Sequence, residues 1–161
     1  MKRSIEQSIS EFSRHWKNYV LQSALAMLVL FVILLILHLQ HIVITASIGA
    51  TAFIVFTMPG NVTAQTRNVV GGHVLGSIFG ALCALIPHTT WVAAAAVYAL
   101  AVGLTIFAMV VLDMEHPPAG GTALGICMTG LSWGIAAALI ISIGMLSLAH
   151  RCFRKHLRDL T

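Results

Sequence analysis

The chain has 161 residues, of which 58% are hydrophobic and only 9% charged. Soluble domains of this size run at about 45–50% apolar and about 25% charged, so the composition excludes an ordinary water-soluble domain and predicts an integral membrane protein. Nine Lys and Arg against five Asp and Glu give a net charge of +4. Most of the cations sit in the two tails, which points to anionic headgroups and away from nucleic acid, since no basic patch is interleaved with aromatics.

Residues 1–19 are polar but space Ile5, Ile9, Phe12, Trp16 and Tyr19 three or four apart, the pattern of one helical face. With Lys2, Arg3, Arg14 and Lys17 alongside, they predict an amphipathic helix on the membrane surface. Residues 20–41 hold the first apolar run, Val20–Leu37, which predicts an N-terminal transmembrane helix facing lipid. It starts too far into the chain, and lacks the cleavage motif, for a signal peptide. Within residues 42–149, the runs Ile42–Met58, Val69–Ile86 and Trp91–Leu112 each fit one crossing of about 20 residues. Ala119–Ala149 is too long for one straight span, so its start, Ala119–Gly130, is expected to be partly unwound or buried in protein. The turns His38–His41 and Pro87–Thr90 demand tight antiparallel hairpins, and residues 150–161 form a basic tail. Small residues let membrane helices approach closely, and Gly76, Gly80, Gly125, Gly130 and Gly134 are expected at helix–helix contacts. The fold class is therefore all-α, a polytopic transmembrane bundle. Cys83, Cys127 and Cys152 lack CxxC spacing and give no sign of a disulfide framework or a zinc site.

An internal repeat organises the core. Gly49, Thr51 and Phe53 match Gly103, Thr105 and Phe107, and each run then meets a polar, proline-containing break, PGNVTAQTR at 59–67 and DMEHPP at 113–118. Both breaks lead into GGxxLG, at Gly71–Gly76 and Gly120–Gly125. Two tandem two-helix repeats make a four-span core behind the extra N-terminal helix. An even number of crossings per repeat puts both breaks on one side, related by an axis along the membrane normal.

The breaks set out the candidate site. A helix start leaves about four N–H groups unpaired and carries partial positive charge. Gly71-Gly72 and Gly120-Gly121, read as two such starts, would let backbone donors approach an anion. Arg67 and His73 flank the first start. Arg67 is the sole Lys or Arg between Lys17 and Arg151, and a charge near membrane depth is a functional candidate; snorkelling to headgroups or pairing with Asp113 or Glu115 is the structural alternative. Pro117-Pro118 would stop the preceding helix, since proline is tolerated in a helix's first turn. His116 has three readings: a hydrogen bond to a freed carbonyl, contact with a ligand or proton, or metal ligation with His73, Asp113 and Glu115. Metal-ligand spacing is missing, so neither a metal nor another cofactor is expected. No GxSxG, HExxH or P-loop is present, which argues against an enzyme or an ATP-driven pump.

The stretches SIGATAFIVFTMPGNVTAQTRNVVGGH (Ser47–His73) and HPPAGGTALG (His116–Gly125) resemble the HPP family of integral membrane proteins. The resemblance covers roughly residues 42–149 and implies four core spans. Plant plastid and cyanobacterial members are implicated in nitrite transport, so it implies a small inorganic anion, nitrite or nitrate, as substrate. On the matched motifs the substrate-binding candidates are Arg67, Asn68, Gly71, Gly72, His73, His116, Gly120, Gly121 and Thr122, supported by Asp113, Glu115, Pro117 and Pro118. Here AQTRN and HPPAGGT stand where many relatives read AQPRN and HPPAGAT; Arg67 is retained. The alternative is a non-transporting ligand- or metal-sensing module or scaffold. A bacterial inner membrane and a homodimer or higher homo-oligomer are expected. Five crossings would divide the cations five to four between the two sides, too even for the positive-inside rule to choose an orientation.

Overall fold

The computed structural model describes residues 5–37 and 42–160; the turn expected at His38–His41 lies outside the described residues, as do residues 1–4 of the expected surface helix. Among the described residues all regular structure is helical: α1 (Ile5–Leu37), α2 (Ile42–Thr57), a 3-10 turn (Val62–Ala64), α3 (Thr66–Ala84), α4 (Trp91–Val111), α5 (Pro118–Thr129) and α6 (Trp133–Phe153). Three stretches are long and apolar enough to cross a membrane, Phe12–Ile36, Trp91–Val111 and Trp133–Phe153, and Ile44–Thr57 is a shorter apolar helix.

α1 runs through the expected boundary at residue 19 and is interrupted instead at His15, whose backbone is non-helical (φ −125°, ψ 17°). Its apolar side chains Met27, Leu28 and Phe31 are exposed, as a lipid-facing helix requires.

The long apolar run after Pro118 is two helices, not one span with an unwound start. α5 is regular for 12 residues and is buried along Ala119, Thr122, Ala123 and Ile126. It ends at Gly130, whose φ of 78° and ψ of 160° lie in a region open essentially to glycine alone. Ser132 then caps α6, accepting the backbone N–H of Ile135 at 3.2 Å. Gly130 therefore sits in open space as a turn residue, and Gly134 has only Ser132 Oγ nearby; neither is a tight packing contact.

α3 and α5 form the centre and run side by side in the same direction, with Gly76 against Ala119 and Gly80 against Ala123. A Cβ at Gly76 would lie 2.5 Å from Ala119 O, and one at Gly80 would lie 2.6 Å from Ala123 O, so both positions need glycine for this approach. α4 packs on α3 and α5, α2 packs on α5, and α6 packs on α1, α2 and α3. Buried Ile48, Val55, Phe56, Val69, Ile126, Leu139 and Leu146 join α2, α3, α5 and α6 in one core, while Val97 and Ala101 of α4 pack with Cys83 and Cys127 in a second.

Both polar breaks meet at one end of the bundle. There α2 ends, α3 begins, α4 ends and α6 ends. The tail returns to this end too: Leu160 N donates to Thr57 O at 2.8 Å, and Tyr19 of α1 donates to Leu160 O at 3.1 Å. The opposite end holds the 85–90 and 130–132 turns. The chain thus crosses the bundle six times, not five, and the even count brings both tails to the end that carries Arg67.

Candidate functional site

α4 stops before the prolines. Asp113 adopts φ 54°, its N–H bonds Val110 O at 3.3 Å, and Met114 N bonds Met109 O at 2.8 Å. This is the paired closure that ends many helices, with Asp113 at the left-handed position usually held by glycine. Pro117 and Pro118 do not stop α4; they start α5, where fixed φ and a missing N–H suit the first turn. The loop between them folds inward, laying Met114 against Gly71 and His116 against Gly72.

Arg67 reaches across to this loop. Its Nη1 lies 3.2 Å from Asp113 Oδ2, and Nη2 donates to Leu112 O at 3.0 Å, closing a free carbonyl at the end of α4. Asn68 Nδ2 donates to Glu115 O at 3.3 Å.

Gly71, Gly72 and Gly120 do not present free donors. α3 begins at Thr66, so Gly71-Gly72 lie beyond its first turn, where backbone N–H groups are consumed by the helix. At α5, Gly120 N bonds Pro117 O at 3.1 Å. The pairs serve packing: a Cβ at Gly72 would sit 2.8 Å from His116 Cβ, and one at Gly121 would sit 3.2 Å from Ser47 Cβ.

The structure does bring His73, His116 and Thr122 together, all at 1% exposure or less. The two rings stand 5.0 Å apart. His73 Nδ1 is 2.8 Å from Thr122 Oγ1, and His73 Nε2 is 3.0 Å from Thr51 Oγ1. The same Thr51 oxygen is 3.0 Å from His116 Nε2. His116 Nδ1 donates to Thr63 O at 2.8 Å. Ser47 Oγ donates to Pro118 O at 2.6 Å and meets Thr122 Oγ1 at 2.9 Å. Four separate segments are tied by this buried seam. Ser47 and Thr51 escaped the sequence reading as site residues. Their signal was present: two hydroxyls four apart on α2, hence on one face of a mainly apolar helix.

A second feature lies above it at the polar end. A cavity of about 690 Å³ is lined by Gln65, Thr66 and Arg67 of the α3 start and by Ser147, His150, Arg151, Arg154 and Lys155. Gln65 precedes α3 without a side-chain cap, and the start of α3 lines the same space as Arg151, Arg154 and Lys155. Ser147 Oγ is buried with no partner among the described residues. The C-terminal cations were read from sequence only as a tail; the return of α6 makes them part of this cavity. Among the described residues no group of three or more His, Cys, Asp or Glu is placed to hold a metal ion.

Comparison with known proteins follows the same lines. The family described as HPP, transmembrane region, matches residues 11–156. A transmembrane protein of Dictyostelium discoideum is 37% identical over 95 residues, covering 59% of this chain and 33% of the relative. A second from the same organism is 34% identical over 107 residues, covering 61% of this chain and 34% of the relative. The chain thus spans about a third of the length of the curated relatives it matches. No solved structure matches it.

Proposed function

Because this chain belongs to the HPP family and is an integral, multi-pass membrane protein, we propose that it moves a small inorganic anion, of the nitrite or nitrate class, across the bilayer. The observation that carries the reading is the cationic cavity at the start of α3. Arg151, Arg154 and Lys155 line it beside the start of α3, together with Arg67, whose guanidinium also pairs with Asp113. Positive side chains and a helix N-terminus together favour a negative guest. The anion is collected here, with Arg67 as the inner member, and the buried polar seam of His73, His116, Thr51 and Thr122 lies further in along α3. At about 1.5 Å per residue, Arg67 and His73 are separated by about 9 Å along the helix axis. In this reading Gly71, Gly72, Gly120 and Gly121 act by bringing the seam's helices together.

The pairing of α2 with α5 and of α4 with α3 is what a twofold relating two hairpins would produce and supports the tandem repeat, although the close packing of α4 on α5 has no equivalent between α2 and α3. A homo-oligomer in a plasma membrane, a bacterial inner membrane where the host is a bacterium, remains part of the proposal.

The test is uptake of nitrate and nitrite by proteoliposomes under an imposed anion gradient. Replacing Arg67 together with Arg151 by Gln removes two charge-assisted contacts, each worth about 1.5–3 kcal/mol. Half-saturation should rise by at least about a hundredfold, at about 1.4 kcal/mol per decade. Absence of flux from correctly assembled wild-type protein for either anion rejects transport and leaves the sensing or scaffold reading.

A further inference from the structure

The hydrogen-bonded seam contains more contacts than its neutral side chains can fill. Six contacts run in series: Pro118 O to Ser47 Oγ, Ser47 to Thr122, Thr122 to His73 Nδ1, His73 Nε2 to Thr51, Thr51 to His116 Nε2, and His116 Nδ1 to Thr63 O. Both ends are carbonyl oxygens, which only accept. Every proton must therefore come from the five side chains between them. A hydroxyl has one to give, and so has a neutral imidazole. Five protons cannot fill six contacts.

The shortfall can be located by working inward. Ser47 donates to Pro118 O, so Thr122 donates to Ser47, so His73 Nδ1 must donate to Thr122. From the other end, His116 Nδ1 must donate to Thr63 O. In neutral rings both Nε2 atoms are then bare lone pairs. They face one hydroxyl, Thr51 Oγ1, at 3.0 Å each. That hydroxyl has a single proton, and Ser47 O, also 3.0 Å away, competes for it. At least one buried ring nitrogen is left without a partner, at a cost of about 1–3 kcal/mol. One added proton removes the conflict: one Nε2 donates to Thr51, and Thr51 donates to the other.

We propose that His73, Thr51 and His116 form a binding site for one proton, shared between the two rings through the Thr51 hydroxyl, and that this proton is the coupling ion for the anion. The second half rests on the transport reading above. A buried cation is costly without a counter-charge, and the seam contains no carboxylate. The facing groups are Ser47 and Thr51 from α2, Thr63 O from the 3-10 turn, Thr122 from α5 and the His73 ring of α3; α4 contributes no titratable group. Glu115 lines, with His116, Pro117 and Gly120, an otherwise largely apolar cavity of about 550 Å³. Arg67 and Asp113 are exposed and pair with each other outside the seam. A bound monovalent anion supplies the missing counter-charge, so anion and proton strengthen each other's binding by the same factor. One proton then travels with one anion, and the step is electroneutral.

Nitrate is the suitable probe, because it has no neutral acid form at these pH values to cross the lipid unaided. Proteoliposomes containing a trapped pH dye are given an inward nitrate gradient, and internal nitrate is measured in parallel. Wild-type protein should acidify the lumen by one proton per nitrate. Thr51→Val, His73→Gln and His116→Gln should lose the acidification, and Thr51→Ser should restore what Thr51→Val removes. Nitrate entry without acidification overturns the proton site and leaves anion transport standing; absence of both overturns transport. A measurement independent of flux decides the proton site by itself. In ¹⁵N-histidine spectra, a doubly protonated ring that disappears in both His73→Gln and His116→Gln is expected. Two neutral rings throughout about pH 5 to 8, with and without nitrate, overturn it.

Discussion

Asp113 shows how one side chain can hold two jobs that pull against each other. It occupies a left-handed backbone position at φ 54°, which costs an ordinary L-residue about 1–2 kcal/mol. It also pairs with Arg67, but both side chains are more than half exposed, and such a pair is worth about 0–1 kcal/mol. The backbone therefore decides the outcome of substitution. Asp113→Gly should change unfolding stability in mild detergent by less than about 1 kcal/mol, because relief of strain offsets the lost pair. Asp113→Val should cost about 1–2 kcal/mol, since a β-branched residue tolerates positive φ far less well than aspartate and the pair is lost as well. Equal loss in both variants would show that the ion pair is the dominant effect. At this scale the sequence was informative about which residues mattered and poor on what they did. Arg67, His73 and His116 stood out as polar groups in an apolar chain. The glycine pairs were assigned donor roles because their place within a helix depends on where that helix begins, and Gln65-Thr66 carries no strong start signal. Thr51 drew notice only as part of a repeat, because a threonine in a membrane helix usually bonds its own backbone, as this one also does through Ser47 O.

Among elements, the contact between α3 and α5 has the tightest tolerance. The four-residue spacing of Gly76 and Gly80 brings two backbones together without intervening side chains, and helix association in lipid depends on such packing. Gly76→Ala would drive a methyl against a backbone carbonyl, whereas a Cβ at Gly103 meets nothing within 4 Å. Gly76→Ala should therefore lower the melting temperature of the purified protein and the yield of assembled material, with Gly103→Ala near wild type. Similar behaviour of the two variants would mean that α3 and α5 do not pack as described. The α3–α5 contact was legible in the GGxxLG phrases. The break between α5 and α6 was not, because Thr129-Gly130-Leu131-Ser132-Trp133 is apolar enough to continue a span. Its two signals, a glycine past a helix end and a serine before a helix start, are short-range conformational cues that hydropathy averages away.

That one turn alters the electrostatics of the whole molecule. With six passages, every Lys and Arg in the described residues lies at the end shared by Arg67 and the tail, and the opposite end carries none. Among the described residues the near-even split expected from five crossings becomes one-sided, and the positive-inside rule predicts that the cationic end faces the cytoplasm. Cys152 provides a native reporter, exposed near the end of α6, while Cys83 and Cys127 are buried. A membrane-impermeant maleimide should leave Cys152 unmodified in intact cells and label it in inside-out vesicles. Labelling from outside would reverse the assignment. The same return of the chain has a consequence during synthesis. Gln22, wholly buried, gives its amide to Phe56 O at 2.5 Å and to Arg158 O at 2.8 Å. α1 and α2 enter the bilayer long before residue 158 leaves the ribosome, since chains emerge N-terminus first. Until then the amide has only part of its final set of acceptors. A nascent chain stalled before residue 158 therefore carries that polar group without the partner the finished protein gives it.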